Sequence, residues 1–397
     1  MKKGWATKTL GEVLQKTETV NPLQSPQVEF DYIDVSSVSN TTFQIEATQR
    51  LKGKDAPSRA RKLVRANDVL FATIRPTLKR IAVVPEHLDK QVCSTGYFVL
   101  RPKPEIDHRF VFYSLFTENF MGQMESLQKG ASYPAVTDGE VKAQLIPVPS
   151  LSEQQRIVGL LDDAFEGIAT AKANAEKNLH NARALFESHL QSVFTQRGDG
   201  WVKKRLDEVC TFSSGGTPFK SNSSYWSGEI PWVSGRDMKS TRLSDSLLHI
   251  SRSAVDESST RMAPAGALLI LVRGMGLAHG AQIAELMVPC AFNQDIRGIH
   301  PEPDLIPRYL LFALRDRINS SDTVLSNAAH GTLKIDSDEL QSVMIPVPPH
   351  EHQQRIVTTI DSLTEETQRL ESLCQQKLAA LDALKKSLLH QAFAGAL

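Results

Sequence analysis

The sequence predicts an α+β protein built as a duplicated unit: two globular parts, and two long helices that pair antiparallel. A motif provides the first evidence, because IPVPSLSEQQRIV at residues 146–158 returns as IPVPPHEHQQRIV at residues 345–357, with nine of 13 positions identical. Each copy is followed by a proline-free segment in which apolar residues recur at steps of three and four. Before each copy, short apolar runs alternate with turn residues and then give way to a helical pattern.

Other segments repeat in the same order. GWATKTLGEV at Gly4 matches GWVKKRLDEV at Gly200, LFATIR (70–75) matches LLILVR (268–273), and LQSVF (190–194) matches LHQAF (389–393). The offset drifts from 196 to 198 within the globular parts and is fixed at 199 from Ile146 onward. Repeats of this kind indicate duplication. We therefore divide the chain into globular parts at 1–149 and 198–344 and helical regions at 150–197 and 345–397.

Within each globular part, the strands precede the helices, which favours α+β over a doubly wound fold. The predicted helices are Asp107 to Glu125 and Pro307 to Ile318. The predicted strands are Phe30–Val35, Val69–Ile74, Ile81–Val84, Gly96–Leu100, Ile230–Val233, Ala267–Val272, Gln282–Ile283 and Ile296–Ile299.

Each long helix is predicted from its cap and its apolar seam. Pro147 and Pro149 keep the preceding chain extended, Ser152 stands three residues before Gln155 as in a capping box, and Glu351 takes that position in the second copy. The seam residues of the first helix are Ile157, Leu161, Ala164, Ile168, Ala171, Ala175, Leu179, Ala182, Phe186 and Val193. Those of the second are Ile356, Ile360, Leu363, Leu370, Cys374, Leu378, Leu381, Leu388 and Ala392.

Spacing of this kind is typical of a coiled coil. A run of roughly 43 residues forms a helix of roughly 65 Å, which needs a partner to cover its stripe, and its own duplicate is the natural one. If the second globular part is compact, the second helix starts where the first ends and runs back antiparallel. Two separate helical hairpins are the alternative, which short connections and closed symmetry disfavour.

Composition indicates a soluble cytoplasmic protein. The four cysteines are scattered without metal-ligand spacing, the N-terminal lysines precede no apolar signal region, and no apolar run is long enough to cross a bilayer. The net charge is zero, but residues 1–149 carry 20 Lys and Arg against 16 Asp and Glu, a surplus of +4. Seven of the 16 residues from Arg50 to Arg65 are basic, so overall neutrality hides a basic segment.

No catalytic or metal-binding residues are predicted. Phosphate-loop, HExxH and GxSxG motifs are absent. The GMG at Gly274 lacks the rest of a dinucleotide fingerprint, and the single Pro-Pro, at Pro348, does not fit an adenine methyltransferase motif. His350 and His352 are interpreted as solvated residues rather than metal ligands.

Basic and polar loops instead suggest contact with nucleic acid. Phosphate neutralisation by Lys and Arg is the main source of affinity for duplex DNA, although a solvated basic face is the alternative for the first cluster. The candidate DNA-binding residues are Arg59, Arg61, Lys62, Arg65, Arg75, Lys79, Arg80, Thr217, Lys220, Tyr225, Arg236, Arg273 and His279. Trp226 and Trp232, in the same loop as Tyr225, are predicted to be packing residues.

The chain resembles the specificity subunits of Type I restriction–modification systems. The resemblance rests on the repeated IPVP…QQRIV motif, the block GGTPFKSNSSYWSGEIPW (215–232), GWVKKRLDEV and the terminal LLHQAFAGAL, and it covers nearly the whole chain. The first globular part departs from it by having NPLQSPQVEFDYIDVSSV (21–38) in place of the GGTP block, which implies two different half-sites.

The resemblance implies a non-catalytic subunit in which each globular part is a target recognition domain for one half of a split DNA sequence. The helices would set the spacing between half-sites, roughly one helical turn or 10 bp, and dock two methyltransferase subunits, which restriction subunits join. S-adenosylmethionine would bind the methyltransferase subunits, and this chain would hold no cofactor. Partner contact is predicted for Gln154, Gln155, Arg156, Gln353, Gln354 and Arg355. The alternatives are a coiled-coil scaffold without a DNA role and a self-sufficient DNA-modifying enzyme.

Overall fold

The computed structural model describes residues 4–195, 200–274, 277, 280–319, 325–327 and 333–397. The chain forms two compact units, and each unit contains parts of both long helices. The first unit comprises residues 1–177 and 374–397, and the second comprises residues 178–373.

The elements follow one plan twice. The first globular part contains β1 (Ala6–Thr9), α1 (Leu10–Val13), β2 (Glu29–Ile33), β3 (Gln49–Lys52), β4 (Ala60–Leu63), β5 (Val69–Ala72), β6 (Ile81–Val83), β7 (Val92–Ser94), β8 (Tyr97–Leu100), α2 (His108–Ser114), α3 (Glu118–Leu127), α4 (Asp138–Lys142) and β9 (Leu145–Val148), and the long helix α5 (Leu151–Thr195) follows it.

The second globular part contains β10 (Val202–Arg205), α6 (Leu206–Val209), β11 (Cys210–Ser214), β12 (Ile230–Val233), β13 (Arg242–Leu243), β14 (Leu248–Ile250), α7 (Arg252–Glu257), β15 (Met262–Ala263), β16 (Leu268–Leu271), β17 (Ile283–Leu286), β18 (Cys290–Phe292), β19 (Ile296–Pro301), α8 (Pro307–Asn319), β20 (Leu325–Asn327), β21 (Leu333–Ile335), α9 (Ser337–Gln341) and β22 (Met344–Val347), and the long helix α10 (His350–Ala394) follows it.

Sheet topology confirms the duplication. β5 lies antiparallel between β6 and β8, as β16 lies between β17 and β19. β2 pairs antiparallel with β3 and parallel with β7, and β12 pairs in the same way with β14 and β18. The second unit adds β11 beside β19 and β13 beside β17. Each predicted strand is present, and no end differs by more than three residues.

A short ribbon precedes each long helix, and the sequence did not reveal its pairing. β1 pairs antiparallel with β9, from Ala6 opposite Val148 to Thr9 opposite Leu145. β10 pairs with β22 in the same way. The extended conformation predicted around Pro147 is confirmed, but the first strand of each ribbon is too polar to predict from apolar alternation.

Three helix predictions differ from the structure. The helix predicted from Asp107 to Glu125 is two helices, because a new one starts where the Thr117 side chain accepts a hydrogen bond from the Phe120 amide. α5 begins one residue before Ser152, and the hydroxyl of Ser150 accepts from the Glu153 amide at 3.4 Å. Glu351 lies inside the first turn of α10 rather than at its cap.

In the first unit, early residues of α5 pack against late residues of α10. Ile157 and Leu161 share an apolar cluster with Leu389 and Ala392 and with Phe110 of α2. Because the start of one helix meets the end of the other, the two run antiparallel there. The predicted orientation is confirmed in this unit.

In the second unit, the end of α5 packs against the start of α10, so the two helices run antiparallel there as well. Phe186, Leu190 and Phe194, late in α5, share a core with Ile360, early in α10. The seam predicted for α5 is buried or half-buried throughout. In α10 the prediction is wrong at Leu370, which is exposed. Among the described helices, none has both the length and the apolar character needed to span a bilayer.

Candidate nucleic-acid interface

In the first unit, a tight finger follows strand β5. Arg75 and Lys79 flank the turn at Pro76–Leu78, and both adopt the left-handed conformation with φ of 50° and 54°. This conformation is costly for residues other than glycine, and strained residues of this kind tend to cluster at functional sites. Arg75 and Lys79 are both exposed at the tip.

The finger is held against the segment that precedes α4. The Arg75 amide donates to the Pro134 carbonyl at 2.7 Å, and its guanidinium donates to Ser132 at 3.2 Å. The guanidinium also lies 5.1 Å from the ring centre of Tyr133, whose side chain is 72% exposed. Arg75, Lys79 and Tyr133 therefore form one exposed surface that combines cations with an aromatic ring, which we name the first tip.

Tyr133 was missed by sequence reasoning. A lone tyrosine in the loop segment ASYPAV carries no charge or repeat signal. Its role becomes visible only because the chain brings it back to Arg75, 58 positions earlier. Arg80, in contrast, was predicted as a DNA contact but turns inward and donates to the carbonyls of Ser36 and Val38. We interpret Arg80 as a residue that supports the finger.

The basic segment from Arg59 to Arg65 is less available than its sequence suggests. Lys62 is only 20% exposed, and its Nζ lies 2.8 Å from the Asp138 carboxylate and 2.6 Å from the Tyr97 carbonyl. This contradicts its prediction as a phosphate contact, because it would have to leave a carboxylate partner. Arg65 pairs with Glu18 at 2.6 Å. Arg61 is half-buried, and Arg59 is exposed.

In the second unit, the glycines of the GGTP block permit close backbone approach. A Cβ on Gly215 would lie 2.2 Å from the Asn293 carbonyl oxygen, and one on Gly216 would lie 2.6 Å from Ser259. The next residue, Thr217, donates to Gln294 at 2.5 Å. The block thus fixes the loop to its own unit and projects the following residues outward.

Those residues are Phe219 and Lys220, both exposed, with the Phe219 side chain 74% accessible. We name this pair the second tip. The sequence indicates Lys220 as a contact but not Phe219, since apolar residues are usually assigned to the core. Arg236, farther along, is also exposed.

The aromatic residues that follow are part of the core. Trp232 is buried and donates to the Gly216 carbonyl at 3.0 Å, and Trp226 packs edge-on against it at 5.0 Å, which confirms the packing role predicted for both. Tyr225, predicted to contact DNA, is also buried and donates to Glu257 at 2.9 Å. The structure contradicts that prediction, because the ring and hydroxyl are both engaged inside the unit.

Arg273 is the counterpart of Arg75. Each is exposed, each follows the central strand of its sheet, and the chain beside each pairs with the segment leading to the last short helix: Ile74 with Ala135, and Arg273 with Lys334. The repeat therefore places an exposed arginine at the same topological position in both units. His279, predicted in the same loop as Arg273, lies outside the described residues.

The repeated glutamines, Gln154 and Gln353, are buried structural residues rather than partner contacts. Gln154 is buried, accepts from the Asp107 amide at 2.8 Å and donates to the Pro149 carbonyl at 2.9 Å. Gln353 is buried in the same way: it accepts from the Ile306 amide at 2.8 Å and donates to the Pro348 carbonyl at 3.0 Å. The prediction that these two side chains meet a partner is wrong, because their hydrogen bonds join helix start to globular part.

The other predicted partner residues are exposed. Gln155, Gln354 and Arg355 face outward. Arg156 is exposed as well, but it pairs with Glu153 at 2.7 Å and donates to the Leu397 carbonyl at 2.8 Å. Only part of the repeated motif is therefore on the surface.

A repeated ion pair lies eight residues, or about two helical turns, beyond each buried glutamine. Asp162 pairs with Arg109 at 2.6 Å, and Asp361 pairs with Arg308 at 2.9 Å. Both pairs are related by the offset of 199. The first pair joins α5 to α2, and the second joins α10 to α8. These ion pairs could not be predicted from the sequence, because their partners are 53 residues apart.

Two buried cysteines of the described residues are unsuited to nucleophilic chemistry. Burial raises the pKa of the Cys93 and Cys210 thiols to about 12, so both stay protonated, whereas a nucleophilic cysteine needs a lowered pKa. Clusters of three or more His, Cys, Asp or Glu that could hold a metal ion are absent from the described parts of the chain.

The duplicated α+β frame carries an exposed cationic tip on each of two unlike units, and these tips form a candidate two-part nucleic-acid interface. Residues 2–179 and 198–379 match the family described as the Type I restriction modification DNA specificity domain. Because these matches cover most of the chain, the chain belongs to this family.

Relatives agree with this assignment. The chain is 32% identical over 216 residues to the specificity subunit of the Escherichia coli Type I restriction enzyme EcoR124I/EcoR124II, over 54% of this chain and 52% of that protein. It is 23% identical over 381 residues to the HindI specificity subunit of Haemophilus influenzae, over 75% of this chain and 80% of that one. The chain spans about half the length of the E. coli relative.

Solved structures extend the similarity to the full length. The crystal structure of the HsdS subunit from Thermoanaerobacter tengcongensis is 30% identical with a TM-score of 0.71, over 100% of this chain and 98% of that one. A chain in a structure describing complex assembly and conformational transition of the type I R-M system is 31% identical with a TM-score of 0.86, over 100% and 99%. The architecture is therefore that of a specificity subunit.

Proposed function

We propose that this chain is the DNA-sequence-reading subunit of a Type I restriction–modification complex, in which each unit reads one half of a bipartite duplex target. Family membership supports this proposal. The observation that carries it is the equivalent placement of Arg75 and Arg273, exposed at the end of the central strand in two otherwise unlike surfaces. A repeated frame with different tips suits two different half-sites.

The chemistry of the tips fits base and phosphate contact. Arginine can bind the O6 and N7 atoms of guanine through two hydrogen bonds in the major groove. An exposed ring such as Tyr133 or Phe219 offers an apolar face for a thymine methyl group or an unstacked base. Lys79 and Lys220, beside those rings, are placed to neutralise phosphates. Each tip thus combines a positioning charge with a group that can distinguish bases.

The catalytic steps are assigned to partners. We propose that two methyltransferase subunits bind the long helices and methylate adenine, with S-adenosylmethionine held by those subunits, and that restriction subunits complete the nuclease. Duplication supports two equivalent docking faces: Leu185 and Leu384, related by the offset of 199, are 65% and 47% exposed. We infer that these two exposed leucines lie on the methyltransferase-docking faces. Gln155, Gln354 and Arg355 stay candidates for the same contacts.

The test is a map of methylated adenines in DNA from cells that express the chain with its methyltransferase partner. Replacing Arg75 and Tyr133 by alanine is expected to relax or abolish recognition of one half of the target and leave the other half unchanged. Replacing Arg273 by alanine is expected to affect the other half. Arg369→Ala, on an exposed part of α10, is the matched control and should leave both halves unchanged.

The same experiment separates the alternative functions. A scaffold without a DNA role predicts that the Arg75/Tyr133 variant and the Arg273 variant leave methylation unchanged in both halves. A self-sufficient enzyme predicts methylation by the chain alone, without the partner subunit. Loss of both halves together in both variants would also contradict the proposal, because the two units would then not act independently.

A further inference from the structure

We propose that two ion pairs between α5 and α10 make the two repeated helices select each other rather than a second copy of themselves. The inference concerns assembly of the chain and goes beyond DNA recognition. It identifies the surface that would otherwise join two copies of this chain through like helices, α5 with α5 and α10 with α10.

One ion pair lies in each unit. In the first unit, Lys172 Nζ lies 2.5 Å from the Asp382 carboxylate. In the second unit, Arg183 Nε lies 2.5 Å from the Glu371 carboxylate. Both basic residues belong to α5, and both acidic residues belong to α10.

The two ion pairs occupy equivalent positions in the internal repeat. Adding the offset of 199 to Lys172 gives Glu371, and adding it to Arg183 gives Asp382. Equivalent positions therefore carry opposite charges in the two copies of the helix. Duplication alone would have produced equal charges, so the sequence has diverged at both positions in a complementary way.

Pairing between two copies of the same helix would bring together side chains of like charge. If α5 paired with a second α5 in this register, Lys172 would face Arg183 at two places. If α10 paired with a second α10, Glu371 would face Asp382 at two places. All four contacts between like helices would be repulsive, whereas both contacts between unlike helices are attractive. Charge patterns of this kind govern partner choice in coiled coils.

The apolar anchors at one end of each long helix do not make this distinction. Leu190 and Phe194 of α5 are buried in the core of the second unit. Leu389 and Phe393, their equivalents in α10, pack into the core of the first unit. Because these two anchors are leucine and phenylalanine in both helices, either helix end can supply them, whereas the charged pairs distinguish like from unlike helices.

The test uses the full chain, refolded from urea at several concentrations and analysed by size-exclusion chromatography with light scattering. The variant K172E/D382K keeps opposite charges within each unit. In like-helix pairing, however, acidic position 172 now faces Arg183, and basic position 382 faces Glu371, so all four contacts become attractive. We expect roughly a tenfold or larger rise in the dimeric share over the unmodified chain, from exposed pairs that each contribute modestly.

The matched control reverses all four charges, as K172E/D382K/R183E/E371K. Its contacts within each unit stay attractive, and its like-helix contacts are again repulsive, so its dimeric share should match that of the unmodified chain. Salt at 1 M should remove the difference between the two variants, because the Debye length there is about 3 Å.

Three results would overturn the proposal. The first is a double variant with the dimeric share of the unmodified chain. The second is a fourfold variant as dimeric as the double variant. The third needs no dimer and no refolding: a double-mutant cycle on Lys172 and Asp382, measured by thermal unfolding, that gives no coupling between the two residues.

Discussion

The buried glutamine of the repeated motif gives the sharpest stability prediction. Replacing Gln154 by alanine removes the acceptor of the Asp107 amide and the donor to the Pro149 carbonyl, both in the interior where α5 begins. A buried group left without a partner costs about 1–3 kcal/mol. Two such groups give an expected loss of roughly 2–6 kcal/mol in the free energy of unfolding of the first unit.

The assay is thermal unfolding combined with hydrogen exchange in peptides that contain Asp107 or Ile306. A unit of this size should lose roughly 2–4 °C in unfolding temperature per kcal/mol. For Gln154→Ala, faster exchange should be confined to the first unit, and for Gln353→Ala to the second. The matched controls are Gln155→Ala and Gln354→Ala, one position along and exposed, with expected changes within about 0.5 kcal/mol.

The reasoning would be refuted if the exposed glutamines were the more destabilising pair. It would also be refuted if alanine at position 154 weakened methyltransferase binding without any change in stability or exchange. That second result would restore the partner-contact interpretation that the buried geometry contradicts.

Three further predictions concern charge, titration and thiol access. Arg59→Ala with Arg61→Ala should weaken binding of the complex to all duplexes alike and reduce the slope of affinity against salt; a gel-shift series at several salt concentrations checks this, and altered sequence preference would contradict it. Burial lowers the pKa of His300, so it contributes stability above the ordinary histidine pKa that is lost as pH falls below it; His300→Gln should therefore flatten the fall in unfolding temperature on acidification, and an unchanged slope would count against it. In the native protein, iodoacetamide should modify the half-exposed Cys374 well before the buried Cys93, as mass spectrometry of timed samples would reveal, and equal rates would contradict the burial.

Much of the fold is encoded locally and could be predicted. The seam from Ile157 to Val193 has a period that only a helix satisfies, and β5 and β16 are apolar runs bounded by turn residues. The antiparallel pairing followed from connectivity, because the second helix must start where the second globular part ends. Repetition strengthened each of these inferences, since two copies had to obey one interpretation.

The site was harder to predict, because it depends on pairs distant in sequence. From the sequence alone, Lys62 is a reasonable phosphate contact. The structure places the carboxylate of Asp138, 76 residues later, beside it. Tyr133 gains meaning only next to Arg75, and Gln154 looked exposed because polar residues usually are. Charge and polarity indicate what a side chain can do, whereas burial and partners decide whether it is free to do it.

The central claim is that two unlike units on one duplicated frame read two half-sites at a fixed separation. Sequencing methylated adenines from cells that carry this chain and its methyltransferase partner tests that claim most directly. The account predicts two different specified half-sites separated by an unspecified gap of constant length. A single uninterrupted target, or a gap that varies from site to site, would contradict it.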